Sequence, residues 1–135
     1  SPGKPSQAPW PDGLNPAAAA ELRKALAGFD VTAITPDEFS TLVQRLYKAG
    51  AISQEDYQQL AAIRADLHAE GIRPDDRVNL VEFYGRKLRR LQSRIDSLDP
   101  AERQQLAAVT LRLDWVQKLA AMRQSPQGFG VTVVV

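Results

Sequence analysis

The chain has 135 residues, with 17 basic and 16 acidic side chains, one histidine and no cysteine. That length suits one domain with its own core, and the missing cysteines exclude disulfides, thiol catalysis and thiolate metal sites. A single histidine excludes a multi-His metal site, and a net charge of +1 argues against a dominant nucleic-acid-binding field.

Residues 1–14 carry several prolines and read as a flexible arm, because proline fixes φ and removes a backbone donor. Trp10 sits in this arm between Pro9 and Pro11. It is either an aromatic docked on the domain's own surface or an anchor for a partner groove. From Asn15 onward the sequence predicts a single all-helical domain over 15–125. Asn15 caps a helix with Pro16 at its first position, and Gly28 ends it, giving 16–27. Thr35, Pro36 and Glu38 form a capping box that opens a helix over 36–49, with Phe39, Leu42, Val43 and Leu46 on one face. Ser53 and Asp56 open the next, over 54–70.

A fourth helix is predicted over 79–98. Its apolar positions Val81, Tyr84, Leu88, Leu91, Ile95 and Leu98 follow coiled-coil spacing. Asp99, Pro100 and Glu102 cap a fifth helix over 100–123, with a seam of Leu106, Val109, Leu113, Val116 and Ala120. Only Asp99 would separate the two, so they are expected to run antiparallel with facing seams. The fifth helix carries a second stripe, Leu111, Trp115, Leu119 and Met122. An apolar stripe on each side predicts cover on each side, and helices one to three are the expected cover, ahead of a second copy of the chain. The expected fold is therefore all-α, with three short helices packed on a long antiparallel two-helix hairpin, and a monomer ahead of a homodimer. Residues 126–135, with Phe129 and a valine-rich end, read as an extended tail that packs on the domain or reaches another molecule.

The segment Ala33-Ile34-Thr35-Pro36-Asp37-Glu38-Phe39 is echoed by Ala51-Ile52-Ser53-Gln54-Glu55-Asp56-Tyr57. Each is an isoleucine before a cap, then a capping box with an aromatic inside the helix. The pattern resembles the end of an EF-hand loop, where an isoleucine precedes the exiting helix. The resemblance does not reach the calcium ligands, because no D-x-D-x-D-G precedes either isoleucine. Residues 42–57 also resemble the short helical hairpins at the C-termini of many bacterial proteins, which implies an assembly element and no activity.

No motif marks a reaction. There is no G-x-S-x-G, no Walker loop and no G-x-G-x-x-G. His68 falls near the end of the third helix, where the dipole favours its cation. The acid pairs Asp37/Glu38, Glu55/Asp56 and Asp75/Asp76 fall at predicted helix starts, where negative charge offsets the dipole. A helix-turn-helix in the second and third helices would bring Glu55 and Asp56 against DNA phosphates, so nucleic acid is disfavoured. No catalytic, cofactor-binding or metal-binding residue is assigned, and no enzyme is expected.

The strongest charge feature is Arg86, Lys87, Arg90 and Arg94 on the fourth helix, opposite its apolar seam. With Trp10 and Phe129 these are the candidate partner-binding residues. The expected role is a non-catalytic protein–protein interaction or assembly module, bacterial by its Ala/Arg/Gln-rich composition. The alternative is an anion- or nucleic-acid-binding regulator that uses the same basic face. No apolar run approaches the ~20 residues of a membrane span, and the lack of cysteine leans only slightly toward the cytoplasm over the periplasm.

Overall fold

The structure, a computed structural model, describes residues 10–124; residues 1–9 and 125–135 lie outside it, among them Phe129 and the expected tail. The described chain is all-helical: α1 (Pro16–Gly28), α2 (Pro36–Lys48), α3 (Gln54–Ala69), α4 (Leu80–Gln92) and α5 (Pro100–Gln124), with a short 3-10 turn at Ile95–Ser97. Local chemistry sets most of the starts. The Asn15 side chain accepts from the Ala18 amide. Thr35 and Glu38 close the expected capping box, each side chain serving the other's amide. Asp99 and Glu102 do the same at the start of α5. Gly50 and Gly71 follow α2 and α3 with φ of 79° and 82°, a left-handed turn that glycine adopts without strain.

The helices form two helix–loop–helix units, α1–α2 and α3–α4. The units meet at one antiparallel bridge, in which the Ile34 and Val78 amides each donate to the other's carbonyl at 2.9 Å. Ile52 lies buried in the α2–α3 connection. Val78 holds the equivalent place because it precedes Asn79, the cap of α4, as Ile34 precedes Thr35. Arg77 secures the junction by donating to the Ala33 carbonyl and to Glu38. At the other end of α2, Tyr47 and Tyr57 stack with centroids 4.6 Å apart, closing the α2–α3 turn.

α5 packs most extensively on α4 and also touches α1 and α3. One continuous core draws on all five helices, with Leu22, Leu42, Leu60, Tyr84 and Leu119 fully buried. Trp115, Leu119 and Met122 are buried within the chain, so the second stripe of α5 is covered intramolecularly. Leu111, expected in that stripe, is 42% exposed. The first seam divides: Val109 and Val116 are buried, whereas Leu106, Leu113 and Ala120 are only partly so.

Three sequence expectations need correction. α4 stops at Gln92 and not at residue 98, so it is about 20 Å long at 1.5 Å per residue. The heptad pattern therefore overran the helix. Ile95 sits in the 3-10 turn and is 51% exposed, while Leu98 is buried beyond it. The α4–α5 connection is accordingly a turn of several residues rather than Asp99 alone. Finally, residues 10–14 are not part of a free arm. They form a turn, with Trp10 and Leu14 packed on the core.

Candidate functional site

Arg86, Lys87, Arg90 and Arg94 do not act as one face, and Arg94 lies beyond the end of α4 rather than on it. The helix wheel sets the directions of the first three, and each cation also answers to the acids near it. Arg86 pairs with Glu82 one turn back, at 3.3 Å. Lys87 points the other way, toward the end of α3. Its ammonium lies 2.9 Å from Glu70 and 5.6 Å from the centre of the Phe83 ring, with the side chain only 11% exposed. Arg94 pairs with Glu102 of α5 at 2.7 Å. Arg90 is exposed and has no acidic partner within ion-pair distance among the described residues.

Lys87, Arg90 and Arg94 line one cleft, together with Glu70, Leu91, Ser93 and Gln105; its volume is about 440 Å³. It lies where the end of α3, the last turn of α4 and the first turns of α5 converge. The Lys87 ammonium holds the Glu70 carboxyl below its ordinary range, and Arg90 adds to that effect. Arg94 does the same to Glu102, with help from the Asp99 amide. The Ser93 hydroxyl donates to the Arg90 carbonyl, so it is engaged in ending α4. Glu70, Ser93 and Gln105 were not found from the sequence. Each belongs to a different element, and only the packing of α3 and α5 beside α4 brings them together.

A second polar group lies deeper. The Tyr84 hydroxyl donates to Asp66 at 2.6 Å, and Arg112 Nη1 donates to the same carboxylate oxygen at 2.7 Å. Tyr84 is fully buried, and burial together with Asp66 pushes its ionisation far above the ordinary phenol range. This trio joins α3, α4 and α5. Arg112 lies between the two apolar stripes of α5, and that position was the available signal for it.

Trp10, proposed from sequence as a partner anchor or a docked aromatic, is docked. Its ring meets Trp115 edge-on at 4.9 Å, and its indole N–H donates to the Ala51 carbonyl. His68 is exposed on a second cleft of about 390 Å³, beside Ile72, Pro74 and the Arg64–Asp37 ion pair. No group of three or more His, Asp or Glu side chains converges as a metal site among the described residues. No helix among them is long and apolar enough to cross a membrane.

No protein-family model matches the chain, and no curated protein or solved structure matches it.

Proposed function

We propose that the chain is a non-catalytic protein–protein interaction or assembly module. The observation that carries this is how the chain places its unsatisfied chemistry. Most polar groups inside the fold pair with one another, as in the Asp66–Tyr84–Arg112 trio, and among the described residues only Gln59 Oε1 and Arg112 Nε are buried without a hydrogen-bond partner. What remains open is surface. Arg89, Arg90 and Arg103 are exposed on α4 and α5, and Val81, Leu88, Leu106 and Leu113 stay only partly covered along the same two helices. Apolar side chains left half-covered beside exposed cations suit a protein partner. A nucleic acid would use several unpaired cations in a row, whereas Arg86, Lys87 and Arg94 each face an acid of this chain.

The test is affinity isolation from the cell of origin with the full chain and with the Arg89→Glu/Arg90→Glu variant. A specific protein that is recovered with the first and lost with the second, while Lys24→Glu on α1 still recovers it, supports the reading. Equal recovery by all three forms, or none by any, contradicts it.

A further inference from the structure

We propose that the cleft between the end of α3, the last turn of α4 and the start of α5 receives a carboxylate from an acidic segment of a protein partner. The inference rests on the interaction reading above and specifies its chemistry.

Charge decides the ligand's sign. Lys87, Arg90 and Arg94 contribute three positive charges, and Glu70 and Glu102, their resident partners, contribute two negative ones. One positive charge is left over, and it belongs to Arg90. The C-terminal dipole of α4 offsets part of it, by about half a charge at most. A phosphate dianion is a poor match, because its charge exceeds that surplus and Glu70 on the wall would repel the excess. A single carboxylate matches the surplus.

Shape agrees with charge. A guanidinium presents parallel N–H donors that fit a carboxylate two at a time. Leu91 on the wall offers apolar contact to the stem of an entering Glu or Asp side chain. A volume of about 440 Å³ exceeds what one small ion fills and leaves room for a side chain and adjoining backbone. The Lys87–Glu70 pair has little freedom, with the ammonium 2.9 Å from its partner and the stem almost covered. It therefore acts as a fixed wall, against which Arg90 is the adjustable element.

The probe is a hexaglutamate peptide titrated into the full chain, followed by backbone amide shifts. Saturable shifts at Ser93 and Gln105 are expected. Arg90→Glu should weaken binding by at least about tenfold, the effect of one lost charged contact, and Arg90→Gln should weaken it less. Lys24→Glu, exposed on α1 away from the cleft, should leave it within about twofold, as surface charges away from a contact do. Shifts that persist in Arg90→Glu, an equal loss in Lys24→Glu, or tighter binding of inorganic phosphate or of an oligothymidylate would each overturn the proposal. So would the absence of shifts. If hexaglutamate fails while partner capture still depends on Arg89 and Arg90, the interaction reading stands and the carboxylate site does not.

Discussion

Tyr84 is the residue on which three helices depend, and its chemistry gives a measurable signature. It is an acid whose ionisation is pushed up by burial and by Asp66. The unfolded chain therefore loses this proton near the ordinary value of 10.0 while the folded chain keeps it. By linkage, stability falls as pH rises past that value. Tyr84→Phe should flatten this alkaline loss in thermal melts, and an unchanged alkaline limb would remove Tyr84 as its source. Asp66→Ala is harsher, because it leaves the mostly buried Arg112 guanidinium without its carboxylate. A loss of about 3 kcal/mol is expected from the urea midpoint, with little change in the urea slope. A loss below about 1 kcal/mol, the level of an exposed pair, would mean that solvent already screens the pair.

Capping and glycine chemistry govern the elements, and here the sequence was most legible. Asn15, Thr35, Ser53 and Asp99 all cap the helices they were expected to open. A cap is a local device, readable from three or four consecutive residues. Thr35→Ala should cost about 1 kcal/mol, because the Glu38 amide loses its acceptor at the start of α2. Gly85 gives the opposite expectation. It lies inside α4, and a Cβ there would meet only the far end of the Arg89 side chain, at 3.6 Å. Gly85→Ala should therefore stabilise the chain by about 0.5–1 kcal/mol in urea denaturation. If it destabilises, the space around Gly85 is not open in solution. The end of α4 was less legible than its start. The heptad spacing continues through Ile95 and Leu98, but Gln92 and Ser93 end the helix. Hydrophobic spacing reports which residues are apolar, and a 3-10 turn can carry Leu98 into the core as well as a helix could.

At the scale of the molecule, what the sequence hid was non-local. The partner of Ile34 is Val78, on the other unit, and no local pattern distinguishes it from Ile52. The basic cleft was half visible. Lys87, Arg90 and Arg94 stood out as a run on one helix, but the acids that neutralise Lys87 and Arg94 come from α3 and α5. Pairing of the acids, some of it local and some between elements, also sets the acid response. Arg45 lowers Glu21, Thr32 lowers Asp30, the Thr35 amide and Arg77 lower Glu38, Lys87 lowers Glu70 and Arg94 lowers Glu102. Folded carboxylates with lowered pKa values add stability above their ordinary range and lose it as pH falls. The melting temperature should hold from pH 7 to about 5 and decline below the ordinary Glu value of 4.5. A melting temperature that rises between pH 5 and 3 would contradict these pairings.

On the interaction reading proposed above, a protein partner docks at the cleft lined by Lys87, Arg90 and Arg94. Site-specific photo-crosslinking in the cell of origin tests it most directly, with the photoreactive residue at Gln105 on the cleft or at Arg23 on α1, away from it. One discrete protein adduct is expected at Gln105 and none of the same mass at Arg23. Equal adducts at both positions, or none at Gln105 while Arg23 yields one, would contradict it.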